Sequence, residues 1–208
     1  GHFDASTAPP YQLDCSGAPT FADVPPGHVH AAAIACAAVY GILGAFRSTF
    51  EPDRAITRGE LASFTMRALQ AAGVAGGNGT TSYSDINGSP DAANIRRLGD
   101  LDVLQGYPDG TFRPNDPVTR AQLGTILTRA HDIVARNPLA SPAVARFPDC
   151  VGNVHAGNIE RAGRAGLVTG IRPGVYNPTG NATRGQVAAI LTRLLRFLGS
   201  EGVTITRP

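Results

Sequence analysis

The same landmarks recur three times along this chain, in one order and at one spacing. Phe21, Tyr83 and Phe147 each open a unit as aromatic-x-Asp, which places Asp23, Asp85 and Asp149 at equivalent positions. An aromatic-x-Pro follows 29 residues on, at Phe50/Pro52, Phe112/Pro114 and Tyr176/Pro178. A Thr-Arg-x-Glu/Gln follows 36 residues after each opening aromatic, at Thr57 to Glu60, Thr119 to Gln122 and Thr183 to Gln186. Successive units start 62 and 64 residues apart. A unit of about 50 ordered residues is close to the lower limit for burying its own core, so three units are expected to share one.

Within a unit the pattern reads helix, loop, helix. Small and apolar residues recur at helical spacing over roughly 28–40, 91–102 and 155–165, as in Ile95 and Leu98. A turn-rich segment follows, clearest in the run from Gly106 to Pro114. The second helix starts at the threonine motif and runs about 15 residues, with buried stripes such as Leu123/Ile126/Leu127. The expected fold is all-α. Its units span 21–72, 83–136 and 147–199, with a flexible lead-in over 1–20 and a frayed tail over 200–208. The Gly-rich linker 72–82 reads as flexible and the Pro-containing linker 137–146 as stiffer.

A net charge of +2 gives no field for nucleic acid or an anionic membrane. No apolar run approaches the ~18 residues of a membrane span. All 18 basic residues are arginine, so every cationic contact uses a planar, bidentate donor. No signal-peptide pattern is visible at Gly1-His2, so a processed form is expected. The three cysteines fit no zinc spacing. Cys36 reads as a small core residue, while a Cys15–Cys36 or Cys15–Cys150 disulfide suits an exported chain.

Thr followed three residues later by Glu or Gln is a capping box, which accounts for both residues without a ligand. It does not account for Arg58, Arg120 and Arg184, whose charge faces the positive end of the helix dipole. Two readings stay open for them. One is a structural pair with Asp23, Asp85 or Asp149. The other is anion binding, where free amides, dipole and guanidinium converge. The aspartates read first as N-caps or Asx turns. The aromatics read as core anchors, except Tyr107, which sits in a turn and could stack on a sugar face. His28, His30 and His155 open helices without a carboxylate-rich partner set, so no metal is expected. No catalytic signature is present, and no catalytic residue or cofactor is assigned.

The opening Phe-x-Asp, the loop Gly-Tyr-Pro-Asp-Gly-Thr-Phe-Arg-Pro-Asn and the following Val-Thr-Arg-Ala-Gln resemble the S-layer homology domain family. Unit two is nearest to the pattern, and unit three looks like the variant of secreted proteins in high-GC Gram-positive bacteria. The resemblance implies a pseudo-threefold α-helical fold, with the three first helices as a central bundle and the threonine-motif helices outside. It implies a cell-surface anchoring role, in which grooves between repeats bind a secondary cell-wall polymer, often one bearing ketal-pyruvate. The family's ligand arginine maps onto Arg58, Arg120 and Arg184, its opening aspartate onto Asp23, Asp85 and Asp149, and its loop Gly-Tyr onto Gly106 and Tyr107. The chain departs from the family in having no tryptophan and in carrying glutamine at Gln122 and Gln186. Two of its loops are altered, so three unequal grooves are expected. The competing reading is a protein-interaction module of the envelope that has lost glycan binding.

Overall fold

The computed structural model describes residues 11–45, 47–135 and 137–208. Lead-in residues 1–10, loop residue Phe46 and Arg136 at the end of unit two lie outside the described residues. Six helices follow in order: α1 (Ala31–Val39), α2 (Arg58–Ala71), α3 (Ala92–Asp100), α4 (Arg120–Val134), α5 (Ala156–Arg164) and α6 (Arg184–Ser200). A 3-10 turn covers Pro148–Cys150. Among the described residues the extended pairings are isolated bridges only, and the fold is all-α as expected.

The long helices start where the sequence says. Thr57, Thr119 and Thr183 each accept the amide three residues on, and Glu60, Gln122 and Gln186 reach back to the threonine amide. Three capping boxes therefore fix three helix starts at positions dictated locally.

Which helix packs on which departs from the expected arrangement. The long helices α2, α4 and α6 touch one another at the centre. Each short helix lies against the long helix of the preceding unit: α3 on α2, α5 on α4, and α1 on α6. The predicted bundle of first helices is thus replaced by one of threonine-motif helices. The physical reason is length and composition. The long helices carry the larger apolar residues, including Leu61, Leu69, Leu123, Leu127, Val187, Leu191, Leu194 and Leu198, all essentially inaccessible. Helices α3 and α5 keep one apolar stripe and a polar outer face, which suits them to a peripheral place.

Between aromatic-x-Pro and the threonine, the three strands of chain meet at one point. The amide of Ile56 donates to Ala182 O (3.0 Å), that of Ala182 to Val118 O (2.9 Å), and that of Val118 to Ile56 O (3.1 Å). This closed cycle of three hydrogen bonds joins the units in a ring, and all three side chains are fully buried. On the rim, buried His131 of α4 bonds Glu201 just past α6 at 2.9 Å.

Both linkers are tied down, including the one expected to be flexible. Asp100, at the end of α3, accepts the amides of Gly79, Thr80 and Thr81 at 2.6, 3.0 and 2.7 Å. In the second linker Glu160 of α5 accepts the amides of Arg146 and Phe147, both at 2.7 Å. Arg161 adds a bond to Leu139 O at 2.8 Å. The described part of the lead-in, from residue 11, and the tail are held as well. Leu13 is buried, Cys15 is bonded to Cys36, Asp14 pairs with Arg207 at 2.6 Å, and Thr206 donates to Ala71 O at 2.8 Å. A flexible lead-in and a frayed tail do not anticipate these contacts.

Candidate functional site

The landmarks of the repeat assemble into one joint, built three times between successive units. Each opening aspartate reaches across 27 residues to the aromatic-x-Pro of its own unit. Asp23 accepts the amides of Phe50 (2.8 Å) and Glu51 (2.6 Å). Asp85 accepts those of Phe112 (2.8 Å) and Arg113 (2.7 Å). Asp149 accepts those of Tyr176 (3.0 Å) and Asn177 (2.7 Å). The N-cap and Asx-turn reading of these aspartates is therefore overturned: they are long-range latches.

The latch holds an unfavourable backbone. Glu51, Arg113 and Asn177 all have φ near +60°, a left-handed conformation that costs a non-glycine residue about 1–2 kcal/mol. Two charge-assisted bonds to one carboxylate offset that cost. Burial alone would raise the Asp85 and Asp149 carboxyls. The amide donors outweigh it and hold both below the ordinary carboxylate range. A folded pKa below the unfolded value of about 4 gives stability that is present above pH 4 and lost as pH falls through the folded pKa. Asp85→Asn is therefore expected to lower stability by about 1 kcal/mol at neutral pH, discounted for exposure, and to flatten the acid limb below about pH 4. Thermal melts between pH 2 and 7 check this, and parallel acid limbs would reject it.

With the kink held, the aromatic carbonyl points at the arginine of the neighbouring unit. Arg58 Nε donates to Phe112 O at 2.8 Å and Nη2 to Gln105 O at 3.0 Å. Arg120 repeats this with Tyr176 O (2.8 Å) and Thr169 O (2.9 Å). Arg184 closes the ring back to unit one through Phe50 O at 2.8 Å. Each guanidinium lies over the ring it grips, 4.4 Å from Phe112, 4.6 Å from Tyr176 and 4.7 Å from Phe50. Arg58 and Arg120 are only 5% and 8% exposed. Among the described residues none of these arginines forms an ion pair with Asp23, Asp85 or Asp149; instead the arginine of one unit and the aspartate of its neighbour hold the carbonyl and the amide of the same aromatic residue.

The helix starts are filled too. The Arg58 amide donates to Asp116 O (2.9 Å), the Gly59 amide to Pro114 O (2.8 Å) and the Glu60 amide to Thr57 Oγ1 (3.3 Å). Arg120/Ala121 donate to Gly180 and Pro178 carbonyls, and Arg184/Gly185 to those of Arg54 and Pro52. The free amides that an anion cradle requires are occupied by the next unit's loop. Sequence reasoning missed this because the acceptors lie more than 50 residues away.

The three joints differ at their edges. Beside Arg58, the Tyr107 ring sits between two guanidinium groups, 5.0 Å from Arg58 and 4.0 Å from Arg113, and Arg113 pairs with Asp109 at 2.8 Å. Gly106 is required by packing, since a Cβ there would meet the Tyr83 ring and Thr111 O. At the Arg184 joint a carboxylate of the chain itself takes part: Glu60 bonds Arg184 Nη1 at 2.6 Å and Arg54 Nη2 at 2.5 Å. Gln122 and Gln186 put a neutral group at that position in the other units.

The histidines serve local structure. His28 approaches Asp53 at 3.5 Å, and His155 Nδ1 lies 2.9 Å from Thr125 Oγ1. Among the described residues no group of three or more His, Cys, Asp or Glu side chains could hold a metal. No helix among them is long and apolar enough to cross a membrane.

The S-layer homology domain family matches residues 82–123 and 151–188, so unit one lies outside the matched segments. The chain is 29% identical over 154 residues to cell surface glycoprotein 1 of Acetivibrio thermocellus, covering 71% of this chain and 7% of that protein. It is 27% identical over 148 residues to the cellulosome-anchoring protein of the same organism, covering 70% of this chain and 33% of that protein. It is 28% identical over 155 residues to an amylopullulanase of Thermoanaerobacterium thermosulfurigenes, covering 73% of this chain and 8% of that protein. The chain thus spans between 7% and 33% of the length of these relatives. Units two and three of this chain thus match the S-layer homology domain family, and the aspartate latch, kinked aromatic-x-Pro and gripping arginine of those units recur in unit one.

Proposed function

We propose that this chain is a non-catalytic module that fastens a longer protein to the bacterial cell wall, by binding an anionic wall polysaccharide beside its joints. The observation that carries the reading is its similarity to a cell surface glycoprotein and a cellulosome-anchoring protein over about 70% of its length. The similarity to an amylopullulanase fits the same role, with the shared segment as an accessory to a catalytic region elsewhere. The Cys15–Cys36 disulfide suits an exported, surface-held protein.

In this reading Arg58, Arg120 and Arg184, with Asp23, Asp85 and Asp149, shape the grooves. The ligand meets their outer edges. The groove beside Arg58 is set apart by Tyr107, a partly buried loop ring that suits a sugar, and by the exposed Arg113, which shares its charge with Asp109 and can meet a carboxylate. A pyruvylated sugar presents both groups. The groove beside Arg184 is the poorest, since Glu60 already supplies an anion there.

The test is sedimentation with wall sacculi of the encoding organism, before and after acid removal of covalently attached polymers. Binding is expected to vanish with the polymers. Tyr107→Ala is expected to weaken it roughly tenfold, the size of one lost aromatic contact, at an unchanged thermal midpoint. Binding that survives stripping would point to peptidoglycan itself, and no binding would overturn the glycan reading. The alternative, a module holding a protein of the envelope, has one observation of its own. Val29 and Val154 stand at equivalent places in units one and three and are 85% and 93% exposed.

A further inference from the structure

Two of the three helix pairs are joined by continuous chain, and the third is not. Residues 72–91 connect α2 to α3, and residues 135–155 connect α4 to α5. The pair α6 and α1 lies at opposite ends of the sequence, so no linker spans it. The short helices α3 and α5 also hold their linkers with charged side chains, Asp100 in one case and Glu160 and Arg161 in the other. Helix α1 reads AAAIACAAV and has no charged side chain with which to do so. Its only reactive group is Cys36, which is bonded to Cys15.

The segment that Cys15 tethers lies across this gap. The Tyr11 ring covers Gly199 of α6, where a Cβ would run into it. Leu13 is buried, and Asp14 is clasped by Arg207 of the tail. Reading from α6, the contacts pass through Tyr11 to Cys15 and then covalently to Cys36 on α1.

We propose that residues 11–15 serve as the linker that the α6–α1 pair lacks, and that the Cys15–Cys36 bond is a redox-dependent lock on this one seam of the ring. Closing it removes two electrons and two protons from the two thiols and passes them to a disulfide oxidant, which leaves as a dithiol. Before that step α1 holds to α6 by packing, by the Thr192 hydroxyl donating to Ala33 O at 3.2 Å, and by the tail, whose Arg207 lies over the Tyr40 ring at the end of α1. The third thiol takes no part. Cys150 is buried, and burial, with Asp149 and Glu160 nearby, pushes its pKa up to about 11, which leaves it in the unreactive thiol form.

The test compares amide hydrogen exchange of the oxidised chain, the chain reduced with dithiothreitol, and Cys15→Ser. Opening the lock is expected to lower the midpoint by roughly 10 °C, from the entropy of a 21-residue closure. It should speed exchange more than tenfold in α1 and the last turns of α6, with α2, α3, α4 and α5 still protected. Tyr11→Ala, with the disulfide intact, is expected to give the same local pattern at smaller amplitude. Unchanged exchange in α1, or equal acceleration in all six helices, would overturn the proposal. Neither readout involves the wall, so the result stands apart from the anchoring reading.

Discussion

Ending the chain at residue 146, and so removing unit three, is expected to abolish cooperative folding of the two units that remain. Four losses coincide. Helix α1 loses α6, the helix it packs on, and α4 loses α5. Ala182 leaves the three-membered amide cycle, so Ile56 N–H and Val118 O lose their partners in a buried place. Arg120 loses both carbonyls it grips, which leaves a largely buried guanidinium unpaired. Each loss costs roughly 1–3 kcal/mol, and the exposed apolar faces of α2 and α4 add more, against a total stability of about 5–15 kcal/mol. Urea titration followed by circular dichroism should show a shallow, featureless decline. A sigmoidal transition would mean that two units suffice.

Tyr176→Ala is expected to be the most damaging of the single substitutions considered, at about 4 kcal/mol, which is roughly 12 °C in Tm. Tyr176 is fully buried and does four things at once. Its ring packs 5.2 Å from Phe147 and lies under Arg120. Its amide is held by Asp149, its carbonyl receives Arg120 Nε, and its hydroxyl donates to Arg120 O at 2.8 Å. Tyr176→Phe keeps all but the last and should cost only about 1 kcal/mol. Equal losses for the two variants, or a loss below 1 kcal/mol for the alanine, would show that the aromatic is not the keystone of its joint.

What was legible in the sequence was local. Capping boxes announced the starts of α2, α4 and α6 to the residue, because both partners of a box lie within four positions. The 3.6 periodicity locates α3 and α5, and five of the six repeated aromatics mark the core, while Tyr83 packs against it partly buried. What could not be read was long-range. Asp85 and the amide it latches are 27 residues apart, and Arg184 and Phe50 O are 134 apart. A period also says that units resemble each other, not which face of one meets the next. The bundle of first helices is an expectation of the resemblance, not of the period, and the contacts put α2, α4 and α6 there instead. Of the two disulfides considered, the structure forms Cys15–Cys36, which depends on where residues 11–15 run across α6 and α1.

The amide cycle through Ile56, Val118 and Ala182 also bears on how such a chain can change over generations. A solenoid grows or shrinks by one repeat at a time, since each repeat leans only on its neighbours. Here the last unit leans on the first, and every short helix is lodged in another unit's groove. Duplicating a single unit would leave a spare helix without a groove, and deleting one would leave a groove without a helix. The heritable quantum of length is therefore the whole set of three, and architectures built from this part should vary in the number of complete rings they string together.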